Sequence, residues 1–134
     1  MLETDSLMII DDCYNANPVS TKASLDVLSL ADGRKVAILG DMFELGENEK
    51  QLHFEVGAHA AKNNIDLIVC IGSLSVNTAQ GAEKQGAKVL RFKTKADFLS
   101  QAQNLLRKQD TVLVKASNGM KFAEIVEKLQ QIKL

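Results

Sequence analysis

The first residues that could do chemistry form a dense polar loop, DDCYNANP, over residues 11–18. The loop lies between an apolar run and a helical pattern, and Asn17 could cap that helix because the following proline suits a first helical turn. Capping does not require Asp12, Tyr14 or Asn15, so the loop also suits a ligand. A carboxylate such as Asp12 could accept hydrogen bonds from ribose hydroxyls, as acidic residues do after strands in nucleotide-binding folds. Both roles of Asn17, helix cap and ligand contact, stay open.

A second candidate segment, LGDMFELGE, follows the next apolar run over residues 39–47. It places two acids, Asp41 and Glu44, between two glycines, and both acids are candidate ligand-binding residues. The alternative is a turn whose apolar residues plug the end of the core. His53 and His59 follow six positions apart, a spacing that does not put them on one helix face. We expect two solvated or capping histidines rather than a metal pair.

The third segment, VKASNGM over residues 114–120, combines a strand-end cation with a small polar turn. Lys115, Ser117 and Asn118 predict an anion site, in which the N–H groups of a helix start and one cation hold a negative charge. The alternative is that Ser117 or Asn118 only caps the helix and Lys115 is a solvated charge. Ser73, at a neighbouring strand end, would help to shape the pocket. The chain contains neither G-x-x-x-x-G-K-[ST] nor G-x-G-x-x-G, so it lacks a triphosphate-binding loop.

Five short apolar runs alternate with helical patterns and must position these three segments. The predicted strands are residues 7–10, 35–39, 66–71, 88–92 and 111–114, and the predicted helices are residues 18–31, 49–63, 74–85, 95–107 and a last helix containing Phe122, Ile125, Val126 and Leu129. Continuously apolar strands are typical of parallel sheets covered on both faces, whereas Arg91 marks an edge strand. The pattern predicts an α/β fold: a Rossmann-like open, mostly parallel five-stranded sheet with helices on both faces. Ligands bind such folds beyond the carboxyl ends of the strands, where all three segments lie.

Composition excludes several classes of protein. The 134 residues contain 16 Lys or Arg and 17 Asp or Glu, a net charge of −1 without a basic block. This balance argues against a nucleic-acid or membrane-surface partner, and no apolar run reaches the roughly 18–20 residues of a membrane span. Cys13 and Cys70 are far apart and do not indicate a disulfide framework. We expect one soluble, intracellular domain over residues 1–134.

Taken together, the three segments resemble the Mur ligase family, and specifically its C-terminal domain. The order and spacing of D-x-Y-N-A-N-P, LGDMFELG and VKASNGM all fit, and the resemblance spans nearly the whole chain. It implies a monomeric, cytoplasmic bacterial ligase that uses ATP and an acyl phosphate to join D-alanyl-D-alanine to UDP-N-acetylmuramoyl-tripeptide in peptidoglycan precursor synthesis. ATP and Mg²⁺ would be held mainly by a central P-loop domain. The chain would be an excised domain that lacks the other two domains and is inactive alone, with no catalytic residue and no metal ligand.

The same resemblance implies roles for the candidate residues. The nucleotide-binding group would be Asp12, Tyr14, Asn15 and Asn17, and the substrate-binding group would be Asp41, Glu44, Ser73, Lys115, Ser117 and Asn118. The alternative from a different class is a free-standing flavodoxin-like nucleotide-binding or receiver-type module. Chain length and strand–helix alternation suffice for that alternative, but it leaves the polar loop and the strand-end lysine without a role.

Overall fold

One six-stranded sheet forms the centre of the fold, and the computed structural model describes all 134 residues. The strand order is β1-β2-β6-β3-β4-β5, and every neighbouring pair is parallel except β1 with β2. The strands are β1 (Leu2–Glu3), β2 (Leu7–Asp12), β3 (Lys35–Gly40), β4 (Leu67–Ile71), β5 (Val89–Phe92) and β6 (Asp110–Lys115).

The predicted α/β fold with a mostly parallel sheet is confirmed, but the predicted count of five strands is wrong. All five expected strands form, and β5, which contains Arg91, lies at the sheet edge as predicted. The additional strand, β1, pairs antiparallel with β2 through Leu2 opposite Ile9 and Glu3 opposite Met8. Two residues are too few to produce an alternating apolar pattern, so the sequence carries no signal for β1.

Five helices cover the two faces of the sheet. They are α1 (Pro18–Ser29), α2 (Glu49–Lys62), α3 (Ser75–Lys84), α4 (Lys95–Leu105) and α5 (Ala123–Gln131). Helices α1, α2 and α3 share one apolar core with alternate strand residues such as Leu39, whereas α4 and α5 share the other core with residues such as Ile38. This alternation gives the helices on both faces that the sequence predicts. No helix combines the length and apolar character needed to cross a bilayer.

Helices α2 and α3 approach each other at two glycines. A Cβ atom on Gly57 would overlap the backbone carbonyl of Thr78, and one on Gly81 would overlap the backbone carbonyl of Phe54. The absence of side chains at these two positions therefore sets how closely the two helices pack.

Candidate functional site

The carboxyl ends of β2, β6 and β3 lie side by side and bring the three polar segments together. The register pairs Asp12 of β2 with Lys115 of β6, and Lys115 with Leu39 of β3. The helix after β6 covers the opposite face of the sheet from the helices after β2 and β3. A crevice opens where neighbouring strands send their connections to opposite faces, and ligands bind in such crevices. The candidate site therefore lies at the end of β6.

An ion pair joins the predicted nucleotide-binding and substrate-binding groups. The Lys115 ammonium lies 2.7 Å from Asp12 Oδ2, and the Ser24 hydroxyl donates to the same oxygen at 2.5 Å. Partial burial raises the pKa of Asp12, but the hydrogen bonds from Lys115 and Ser24 outweigh it and leave that pKa below 3.8. The Lys115 side chain is only 3% exposed, so the alternative of a solvated strand-end lysine is wrong. The Asp12 side chain remains 42% exposed and could still accept a ligand hydroxyl.

Asp41 ties β3 to the two neighbouring strand ends. Its buried Oδ1 accepts hydrogen bonds from the backbone N–H of Ser75 at 2.8 Å and from the Ser75 hydroxyl at 2.7 Å. Its carbonyl oxygen accepts from the N–H of Ser117 at 3.0 Å. The carboxylate lies against Gly72, whose φ of +115° and lack of a Cβ atom leave room for it. Asp41 thus has a structural role in addition to any ligand contact.

The turn after β6 differs from the predicted helix start. Asn118–Met120 form a single 3₁₀ turn, Lys121 takes φ of +56°, and α5 begins only at Ala123. The left-handed residue interrupts the helical hydrogen bonds, so a helix N-terminus at Asn118 is wrong. Ser117 makes no capping bond with its side chain. Its hydroxyl accepts from the N–H of Phe43 at 2.8 Å and keeps its own hydrogen to donate.

The polar loop after β2 is part cap and part exposed surface. Asn17 is the N-cap of α1 and forms a capping box with Ser20, with Asn17 Oδ1 accepting from the Ser20 N–H at 2.8 Å. The open question about Asn17 is answered in favour of a cap for its carboxamide oxygen. Tyr14 and Asn15 are exposed, with Tyr14 at 76%. Both side chains are therefore available to a ligand at this edge.

The chain has two cysteines, Cys13 just after β2 and Cys70 in β4, and both are buried. Burial, and then a hydrogen bond to Asp11, raise the pKa of the Cys13 thiol to about 12, and burial raises the pKa of Cys70 to about 12. Neither thiol is therefore a nucleophile at neutral pH.

Two further substrate-binding candidates, Glu44 and Ser73, are exposed. Glu44 has a φ of +62°. Ser73 is exposed beside a cavity of about 490 Å³ between the ends of β4 and β5.

The two histidines differ from each other, and the expectation of two solvated or capping side chains is wrong for His53. His53 is completely buried and bonds the N–H of Met42, whereas His59 is half-buried and lies 2.7 Å from Asp26 at the surface. The sequence signal for His53 was its position among the buried residues of α2, one turn before Val56 and Gly57. No group of three His, Cys, Asp or Glu side chains is placed to hold a metal ion.

Comparisons with known proteins show which family this chain is similar to. The family described as Mur ligase, glutamate ligase domain, matches residues 1–118. The UDP-N-acetylmuramoyl-tripeptide–D-alanyl-D-alanine ligase of Bacillus subtilis (strain 168) is 40% identical over 134 residues, which cover 96% of this chain and 29% of that ligase. The chain therefore spans less than a third of the length of that relative.

Solved structures give the same picture. Crystal structure II of MurF from Acinetobacter baumannii matches with a TM-score of 0.88 and 30% identity, covering 98% of this chain and 30% of that one. The MurF ligase from Thermotoga maritima, crystallised in complex with ADP, matches with a TM-score of 0.79 over 97% of this chain and 29% of that one. Its identity of 24% shows a shared fold alone.

Proposed function

The chain belongs to the Mur ligase family, and from this premise we propose that it is the C-terminal domain of an ATP-dependent ligase that joins D-alanyl-D-alanine to UDP-N-acetylmuramoyl-tripeptide. The complete enzyme would act as a monomer in the bacterial cytoplasm, in peptidoglycan precursor synthesis. Its other domains would bind the uridine-linked substrate and the triphosphate with Mg²⁺. Residues 1–134 would form one domain that closes over both.

In the proposed reaction, ATP supplies the phosphoryl group that activates the tripeptide carboxylate as an acyl phosphate, with ADP leaving. The free amine of the dipeptide then attacks the acyl carbon, an amide bond forms, and inorganic phosphate leaves. This chain would contribute positioning of the two reactants and stabilisation of charge rather than a nucleophile or base. The high thiol pKa values agree with that division of labour.

The nucleotide would lie against the loop after β2. Asp12 fits a ribose because both of its internal hydrogen bonds go to Oδ2 while the side chain is still partly exposed. Tyr14 and Asn15 offer an exposed phenol and an exposed carboxamide in the same loop, and Asn17 keeps its amide nitrogen for a ligand while its oxygen caps α1. These groups suit hydroxyl and ring-nitrogen partners.

The dipeptide would lie against the ends of β3, β4 and β6. Its amine must reach the acyl phosphate, so its carboxylate needs an anchor at the far end. The Ser117 hydroxyl and the exposed Asn118 carboxamide are donors for such an anchor, beside the Lys115 cation. Glu44 and Ser73, which are exposed, would line the remainder of the pocket together with Asp41, whose side chain is buried.

One observation carries the proposal: a ligase of this activity matches the chain along 96% of its length but is more than three times as long. The chain carries polar residues at the carboxyl ends of its parallel strands but has no phosphate-binding loop, as expected for one domain of such an enzyme. A free-standing flavodoxin-like or receiver-type module is not favoured, because the matched relatives are ligases.

A chimera tests the proposal. The 134 residues would replace the matching segment of the B. subtilis ligase, and phosphate release would be measured with ATP, UDP-N-acetylmuramoyl-tripeptide and D-alanyl-D-alanine. We expect release that depends on the dipeptide, with the unmodified ligase as the positive control and the chain alone as the negative control. A folded chimera that releases no phosphate, or that responds to a different amino component, would contradict the proposed function.

A further inference from the structure

His53 is a buried side chain that the proposed reaction does not use. It lies in the second turn of α2 with no exposed surface. Its Nδ1 atom is 2.6 Å from the carbonyl oxygen of Glu49, and its Nε2 atom is 3.0 Å from the backbone nitrogen of Met42. Both ring nitrogens are therefore bonded to backbone groups, one within α2 and one in the loop after β3.

These two partners fix the state of the imidazole ring. A carbonyl oxygen can only accept a hydrogen bond, so Nδ1 must carry the proton that it donates to Glu49. The Met42 N–H can only donate, so Nε2 must offer its lone pair. His53 is therefore neutral, with one defined tautomer and one defined ring orientation. A proton on Nε2 as well would point the Nε2–H group at the Met42 N–H, and neither donor would have an acceptor.

The bond to Met42 is the middle one of three consecutive anchors. Asp41 is held by Ser75 at the start of α3, Met42 by His53 of α2, and Phe43 by the hydroxyl of Ser117 after β6. Each anchor comes from a different element. Three successive residues are thus tied in three directions as the chain leaves β3.

The next residue, Glu44, explains why such anchoring is needed. Its φ of +62° is a left-handed conformation that costs free energy for any residue with a Cβ atom. Such a conformation persists only when its surroundings hold the chain in place. Phe43 and Glu44 are also exposed at the candidate site, so the anchored segment presents them outward.

We propose that His53 is a positioning residue that holds the loop of residues 41–44 in the geometry needed to bind the dipeptide. Its role is exerted through the Met42 N–H, without contact to substrate. The inference rests on the proposed function for its kinetic consequence, because that function places Asp41 and Glu44 in the dipeptide pocket. The hydrogen-bond arrangement itself can be measured without any substrate.

The first test compares two amide substitutions in the chimeric ligase. Glutamine can place an oxygen near the position of Nε2, whereas asparagine reaches only as far as Nδ1 and leaves the Met42 N–H unpaired. His53→Asn is expected to raise the KM for D-alanyl-D-alanine about tenfold, the effect of losing one buried hydrogen bond. The KM for the uridine-linked substrate should stay within about twofold of the parent value. His53→Gln should recover most of the loss, and His59→Gln, on the same helix, should change neither KM.

The second test uses amide hydrogen exchange of the 134-residue chain. His53→Asn should speed exchange at Met42 and Phe43 about tenfold relative to the parent, with exchange at Val69 in the core unchanged. Imidazole nitrogen NMR of the parent should show the proton on Nδ1 of His53. Unchanged exchange at Met42, or a proton on Nε2, would overturn the positioning role whether or not the chimera is active.

The two arms separate this inference from the proposed function. An inactive parent chimera would reject the proposed function, and the exchange experiment alone would then decide the role of His53. An active parent in which His53→Asn and His53→Gln raise every KM equally would show a general structural defect and would overturn the specific role.

Discussion

Asp12 and Lys115 form an ion pair, but removing one or the other is expected to lower the free energy of unfolding by different amounts. The reason is that the two side chains are buried to different degrees. The Lys115 side chain is 3% exposed and the Asp12 side chain 42% exposed, although their charged atoms are only 2.7 Å apart. Removing the aspartate strands a buried ammonium. Removing the lysine leaves a carboxylate that water and the Ser24 hydroxyl can still solvate.

The magnitudes follow from this difference. Asp12→Ala should lower the free energy of unfolding by about 3 kcal/mol, the lower end of the range for breaking a buried ion pair at one side. Lys115→Met replaces the aliphatic stem with an apolar chain of similar length and should lower it by only about 1 kcal/mol, as for a partly exposed pair. The double variant should be more stable than Asp12→Ala alone, since it contains no unpaired ammonium.

Urea unfolding of the 134-residue chain at neutral pH measures all four forms. We expect the order of stability to be parent, Lys115→Met, the double variant, and Asp12→Ala last. The slopes of the unfolding curves should be equal, which shows that the same surface is exposed in each case. An Asp12→Ala variant as stable as Lys115→Met would refute the argument from unequal burial.

Three further outcomes are expected. The pKa of Asp12 is lowered below 3.8 in the fold, so the stability advantage of the parent over Lys115→Met, followed by urea unfolding, should be complete above pH 3.8 and should be lost as the pH falls through the lower folded value. Below that value it should reverse, because protonated Asp12 leaves the buried Lys115 ammonium of the parent unpaired. Gly57→Ala should destabilise the chain by about 1 kcal/mol in thermal unfolding, because about 1–3 kcal/mol of overpacking against Thr78 exceeds the roughly 1 kcal/mol gain in helix propensity; an increase in Tm would contradict the close helix contact. In the chimeric ligase, Asn15→Ala should raise the KM for ATP severalfold without changing stability, and an unchanged KM would make that residue merely part of the loop.

Much of the fold could be predicted from apolar pattern alone, because buried strands and amphipathic helices leave periodic signals. The exceptions are short or depend on one backbone torsion. Strand β1 has two residues, too few to show a period. The delayed start of α5 depends on the left-handed conformation of Lys121, a residue type that gives no sign of it. The sequence therefore predicted a helix N-terminus at Asn118 where the chain makes a single tight turn.

The three segments that meet at the candidate site could be chosen from the sequence, but the contacts between them could not. The rule that ligands bind beyond the carboxyl ends of parallel strands was enough to choose the three segments. The pairing of Asp12 with Lys115 spans 103 positions and exists only because β6 inserts between β2 and β3. Alternation of strands and helices does not specify that order. The bond between Ser117 and Phe43, and the burial of His53, depend on it in the same way.

The ion pair also changes how the two proposed subsites relate. Lys115 cannot act as an independent cation for a dipeptide carboxylate, because an incoming anion would compete with Asp12 for the same ammonium at 2.7 Å. In the proposed arrangement, the Lys115 charge would hold Asp12 at the nucleotide side and would contribute to binding of the dipeptide carboxylate only as a secondary partner. The Ser117 hydroxyl, whose hydrogen remains free to donate, would then be the stronger anchor for the dipeptide carboxylate. Nucleotide and dipeptide would be bound by groups that share one buried charge, so occupancy of one subsite would alter the geometry offered to the other.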